Sequence, residues 1–453
     1  MRKFFRFEEL GTNYRRETIA GLTTFVTMAY IIVVNPGILH RAVDVDIIEQ
    51  ATGASDPAGI IPALMVATII AAIVGTLLMG LYAKRPFAIA PYMGENAFIA
   101  FIVVGTLGFS WRAGLTAVLI GGVLFVLLTL LRLRSWLARA VPINLKFAFV
   151  IGIGLFLTFI GLVECGVVVP GPGKPPVAMG RMVSPTVLLS IFCLVLMGAL
   201  MVRRMPGAIL VAILATTAVG WVTTAVGLTP DLAPLPEKVI GWHNPLPLFC
   251  RFDFTTVLTV GFFPILLCVF LMDFLDTMGT LIGVSAKAGF LDEEGNLPEI
   301  EKPMLADAVA SVVGAVVGTT TTGTYIESAS GIEAGGRSGF AAVVTALCFV
   351  PFLFLGPVAR AIPAYAYAPA LIMVGILMMG AVTRINFDDM TELIPAFATV
   401  VLMSFTYNIG VGMTAGFVLY PVMKLITGRV REVPTGMWVL SALSLAFFVF
   451  YPY

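Results

Sequence analysis

Apolar runs of about 20 residues, the length a helix needs to cross a bilayer, recur along the whole sequence. They lie near residues 18–38, 59–82, 86–104, 112–131, 144–163, 185–202, 207–227, 255–284, 304–318, 319–336, 338–358, 368–383, 391–408 and 411–427, and a further apolar segment runs 435–452. Hydrophobic residues make up 59% of the 453, and only 12% are charged, against roughly a quarter in soluble domains. One water-soluble globule has too little interior to hide that surface. The chain therefore reads as an all-α polytopic membrane protein. A soluble enzyme, a nucleic-acid-binding protein and a disordered chain are excluded. The net charge, +1, says nothing about partners.

The positions of the charges set the topology. Arg2, Lys3, Arg6, Arg15 and Arg16 place the N-terminus in the cytoplasm, and acidic Asp44, Asp46, Glu49 and Asp56 fall outside. Lys84 and Arg85, then Arg132, Arg134, Arg139 and Lys146, then Arg203 and Arg204, and finally Lys424, Arg429 and Arg431 fall inside. The first apolar run ends at Asn35-Pro36 without a small-residue cleavage site, so it is a retained helix. A proline-rich outer loop (Pro230, Pro234, Pro236, Pro245, Pro247) separates seven crossings from seven more. Seven is odd, so the halves enter the membrane from opposite sides, as in inverted-repeat transporters whose sites lie between broken helices. The segment 435–452 stands outside this scheme, as a fifteenth crossing or at the interface. Five scattered cysteines and two histidines predict neither a disulfide framework nor a metal site.

Two segments break the helical rules. In the third, Pro86 and Pro91 each lack an N–H and restrict the preceding residue. The stretch between them reads as extended, with a short helix starting near Gly94. In the tenth, Thr319–Thr322 are four consecutive β-branched residues and favour a strand, with a short helix starting near Glu327. Irregular backbone at membrane depth survives only where protein or a cavity satisfies it. Two strands that meet would do so, and the two half-helices would aim free N–H groups near Gly94 and Ile326 at one midplane point.

Acidic residues inside the membrane are costly and mark pathways or proton relays. Asp273 and Asp276 are three apart and share a helix face. Glu327 and Glu95 stand at the two strand-to-helix switches, Glu95 as cap or ligand, and Asn96 both donates and accepts. Glu333 and Arg337 read as a surface pair, and Asp292–Glu294 as solvated loop charges. Gly314/Gly318 and Gly412/Gly416 have the spacing of close helix packing. No nucleotide-binding or hydrolase motif occurs in a fitting context, which favours a secondary transporter over a pump or a membrane enzyme. No cofactor is expected. A channel and an anion carrier for sulfate or bicarbonate are the rivals; a fixed acid at each half-helix start would repel an anion.

Four motifs carry a family resemblance: Arg16–Pro36, Met93-Gly-Glu-Asn-Ala-Phe98, Asp273-Phe-Leu-Asp-Thr-Met-Gly-Thr280 and Thr319–Ile332. Together they resemble the adenine/guanine/hypoxanthine permeases, the purine branch of the nucleobase–cation symporters. The resemblance implies fourteen transmembrane segments in two inverted repeats of seven, with short strands in segments 3 and 10. It implies a core domain (1–140 and 255–365), a gate domain (141–230 and 366–430), an extracellular loop (231–254) and the extra C-terminal segment (431–453). It also implies proton-coupled purine uptake through the cell membrane, commonly by a homodimer, with Asp273, Glu327 and Asn96 on the substrate. Uracil or xanthine is the alternative cargo. The sequence departs from the family at Glu95, where many members carry an apolar residue. On this reading Asp273 or Glu327 carries the coupled proton. Gly94 and Ile326 donate through the backbone, Glu95 and Asp276 complete the site, and Phe98, Phe274 or Tyr325 stacks on the base.

Overall fold

The computed structural model describes residues 1–131, 140–171, 176–227, 232–233, 235–236, 238–259, 261–291 and 297–451. Arg132, Arg134, Arg139, Pro230, Pro234 and the run 292–294 lie outside the described residues. Among the described residues, nine helices are long and apolar enough to cross a membrane, from Tyr14–Leu39 to Ile409–Ile426. Shorter apolar helices, Gly339–Phe354, Met390–Phe405 and Thr435–Phe450, add to them. The protein is a multi-pass membrane protein.

The packing repeats itself between the halves. Helix Tyr14–Met28 packs on Gly339–Phe349, and its counterpart Phe262–Ala288 packs on Trp111–Leu130. Helix Ile61–Leu81 packs on Gly339–Phe349 as Glu301–Val317 does on Trp111–Leu130, and these two helices also pack on each other. Helix Ile143–Glu164 lies against Ala364–Met378 and Met390–Phe405. The last helix, Thr435–Phe450, folds back along Ile409–Ile426 and also touches Phe262–Ala288.

At the centre, strand β1 (Ile89–Pro91) pairs antiparallel with a strand from the other half; the peripheral hairpin of β2 (Val168–Pro170) and β3 (Val177–Met179) lies between them in sequence. That central partner is β4 (Thr322–Thr324), in the register Ile89↔Thr324, Ala90↔Gly323 and Pro91↔Thr322. Of the threonine run, only Thr322 is in the strand; Gly318, at φ +82°, ends the preceding helix, and Thr319–Thr321 lead out of it. A two-stranded ribbon leaves both outer edges unpaired, and no lipid can pair them. Neighbouring helices supply the partners. The Thr76 hydroxyl donates to the Ile89 carbonyl (3.0 Å) and accepts from its N–H (2.9 Å). Ser311 does the same for Thr322 (2.8 and 3.3 Å). Asp307 accepts from the Thr324 N–H (2.7 Å) and Ser328 from the Ala88 N–H (2.9 Å).

The ribbon requires glycine at position 323. A Cβ there would stand 2.2–2.4 Å from the Tyr92 ring. Gly323→Ala is therefore expected to destabilise the folded protein by about 1–3 kcal/mol, seen as a lower melting midpoint in detergent. Gly412 and Gly416 pack directly on Met403 and Thr399, whereas Gly314 accommodates the Thr320 carbonyl and Gly318 serves as a helix stop.

One expected pair is different. Glu333 bonds to Lys287 (2.6 Å), and the Arg337 guanidinium instead donates to the carbonyls of Ile332 (2.8 Å) and Gly336 (2.7 Å). The helix ends at Ala334, and Arg337 donates to carbonyls at and just beyond that end. Lys424, expected as a loop charge, is buried between Glu392 (2.9 Å) and Glu432 (2.8 Å).

Candidate functional site

The ribbon sets where two half-helices begin. Met93–Ala97 follows β1 and widens into a π-helical stretch, Phe98–Val104, a distortion frequent at functional sites. Ser328–Glu333 follows β4. Tyr92 and Tyr325 cross to the opposite strand: the Tyr325 hydroxyl donates to the Pro91 carbonyl (2.6 Å) and the Tyr92 hydroxyl to that of Thr324 (3.3 Å). Their rings lie nearly parallel, 6.4 Å apart. The two switches are thus held by hydrogen bonds rather than by loop length.

The residues singled out in the sequence converge here. Glu95, Asn96 and Asp273 are buried. Glu95 lies within electrostatic reach of Asp276, Asp273 and Asp307, and Tyr325 within reach of Glu327, Glu95 and Asp276. Glu95 makes no helix cap, and neither carboxyl oxygen bonds to another described residue. The Asn96 carbonyl is likewise unmatched among the described residues. Gly94 is buried, and a Cβ on it would touch Ile153 of helix Ile143–Glu164. Glu327 and Asp276 are half-buried, and the Ile326 side chain is 58% exposed beside Glu327. Of the three candidate stacking rings, Phe274 packs edge-on against Phe125, and Tyr325 is taken up with Tyr92. Phe98 is buried without such a ring neighbour among the described residues.

Three residues were not anticipated. Tyr30 donates to Glu327 Oε1 at 2.5 Å. Asn35 accepts from the Asn96 amide and donates to Thr68 (2.7 Å) and Thr319 (3.0 Å). Asp307 holds Thr324 and also accepts from Thr277, which belongs to the Asp273–Thr280 motif. Asp307 had a usable signal, an acid inside an apolar segment, but it sits near the segment's end and reads as a boundary charge. Tyr30 and Asn35 had none, because their partners are remote in sequence.

The two ends of the site differ in burial. Toward the end marked by Arg41, helix Ile31–Leu39 is wholly buried. The Tyr367 hydroxyl donates to the Gly37 carbonyl (3.2 Å), and Arg41 pairs with Glu164 (2.8 Å). Toward the Lys287 end, Gly279, Ile282, Gly283 and Lys287 form an exposed stripe leading away from Asp276. A Cβ on Gly279 or Gly283 would meet open space.

A broken-helix site at the crossing of two inverted halves is the architecture of a secondary transporter, not of an enzyme. The chain belongs to the family described as Permease family (Xan_ur_permease), whose model matches residues 15–419. It is 44% identical to the putative permease MJ0326 of Methanocaldococcus jannaschii over 99% of this chain and 98% of the relative. It is 38% identical to the adenine permease AdeP of Escherichia coli (99% and 96%) and 39% identical to the guanine/hypoxanthine permease PbuG of Bacillus subtilis (99% and 100%). Among solved structures, the transmembrane domain of the cyanobacterial bicarbonate transporter BicA shares the fold, with a TM-score of 0.61 at 16% identity over 88% of this chain and 97% of that one.

Proposed function

We propose that this protein imports purine nucleobases (adenine, guanine or hypoxanthine) across the cell membrane by proton symport. The observation that carries the reading is the near full-length similarity to adenine and guanine/hypoxanthine permeases, joined to a site whose acids and amide suit a purine edge. That edge alternates N–H donors with carbonyl or ring-nitrogen acceptors. Asp273 and Glu327 accept from the N–H groups. The Asn96 amide and backbone N–H groups at Gly94 and Ile326 serve the rest of the edge, Glu95 and Asp276 extend the acceptor wall, and Phe98 stacks on the plane. Asp273 or Glu327 carries the coupled proton. The core (1–140 and 255–365) moves against the gate (141–230 and 366–430), and the open stripe by Asp276 is the cytoplasmic route. The N-terminus is cytoplasmic, and the working assembly is a homodimer.

The fold shared with a bicarbonate transporter extends to fold alone, and the buried carboxyls at both half-helix starts oppose an anion. The test is uptake of radiolabelled hypoxanthine by purine-transport-deficient bacterial cells, with and without a protonophore. Adenine, guanine, xanthine and uracil serve as competitors. Saturable uptake that the protonophore abolishes and purines compete for is the expected result. Uptake competed only by uracil or xanthine, or none by protein shown to be folded in the membrane, would sink the proposal.

A further inference from the structure

We propose that Tyr30 sets which purines this transporter prefers, by occupying one oxygen of Glu327 and leaving the substrate the other. The inference rests on Glu327 being a substrate contact, as proposed above.

Tyr30 is 1% exposed and stands at the joint between helices Tyr14–Met28 and Ile31–Leu39. Its phenol is the donor and Glu327 Oε1 the acceptor, at 2.5 Å. Glu327 itself is the residue at which the half-helix Ser328–Glu333 begins, and its side chain caps nothing. Among the described residues, the phenol is the side-chain hydrogen-bond partner of this carboxyl, beside the backbone N–H of Glu327 itself.

A bare carboxylate offers two oxygens side by side and takes a fork of two parallel N–H groups. The guanine edge is such a fork, with its ring N1–H beside an exocyclic amine. The hypoxanthine edge presents N1–H alone. The phenol proton draws charge from Oε1 and makes it the weaker acceptor, so Glu327 favours a single N–H at Oε2 over a fork across both oxygens. Tyr30 acts on the base through Glu327 and is a positioning residue.

Tyr30→Phe keeps the ring and removes only the hydroxyl. Hypoxanthine should lose affinity, because the carboxyl loses its fixed orientation. Guanine should lose little or gain, because both oxygens become available to it. The readout is the ratio of KM for hypoxanthine to KM for guanine. That ratio should rise about tenfold or more, the scale of one hydrogen bond to a charged group. The ratio is independent of how much protein reaches the membrane. If Tyr30→Phe does not fold, Tyr30→His, which keeps a donor, should fold and stay nearer the parent ratio than Tyr30→Leu. An unchanged ratio, or equal losses for both bases, overturns the inference while leaving Glu327 in the site. Undiminished uptake in Glu327→Gln overturns the inference by removing Glu327 from the substrate, while purine import itself still stands.

Discussion

Glu327→Gln is expected to lower purine uptake by about a hundredfold, with the protein still folded and inserted. The substitution keeps the shape of the side chain and replaces one acceptor oxygen with a donor. Tyr30 already presents a hydroxyl hydrogen to this group, and the purine would present an N–H to the other side. A carboxylamide cannot accept from both in the same geometry. The loss combines one charge-assisted bond with a donor facing a donor, about 2–3 kcal/mol in all. Asp273→Asn should behave alike, since Asp273 is buried within electrostatic reach of Glu95. The two variants separate binding from coupling. At saturating base, the one that replaces the proton carrier should lose accumulation against a gradient yet still exchange labelled for unlabelled base. The other should lose both. Uptake at the parent level in both variants, with protein quantified by fluorescence in the membrane, would refute the assignment.

Much of the site is legible in the sequence because membrane depth makes local exceptions conspicuous. Pro86 and Pro91 cannot sit in a regular helix, and four β-branched residues beginning at Thr319 resist one, so both chain breaks can be placed to within a turn. Acids such as Asp273, Glu95 and Glu327 stand out against apolar neighbours for the same reason. The inverted topology follows from charge alternation and an odd number of crossings, and the paired packing of the two halves agrees with it. What sequence conceals is who satisfies whom. Thr76, Ser311 and Ser328 read as ordinary small polar residues of apolar helices, and only the assembled ribbon shows that they close its edges. Tyr30 finds Glu327 across 297 residues of chain, and no periodicity encodes such a pair. The break at Ala29–Tyr30 within the first span is likewise invisible, because both residues keep helical dihedrals.

Asp307→Ala should be the most destabilising single change in the site, costing about 3–5 kcal/mol. One Asp307 oxygen accepts from the Thr324 N–H (2.7 Å) and hydroxyl (2.9 Å), and the other from the Thr277 hydroxyl. Alanine strands a backbone N–H and two hydroxyls where Thr324, Thr277 and Asp307 are all fully buried. Each unsatisfied group costs about 1–3 kcal/mol, and bulk water does not reach membrane depth to replace the partner. The damage would not stay local. β4 fixes Tyr325, and two residues later Glu327, so slack in the strand moves the carboxyl proposed to hold the base. Asp307→Asn keeps an oxygen for Thr324, and the Thr277 hydroxyl can turn to accept from the new amide, so it should fall between the parent and the alanine variant. Melting midpoints in detergent, read alongside hypoxanthine uptake, test this order. An alanine variant that melts with the parent would mean that the ribbon holds its edge without Asp307, and that its burial beside Glu95 and Asp276 serves the transported proton or base instead.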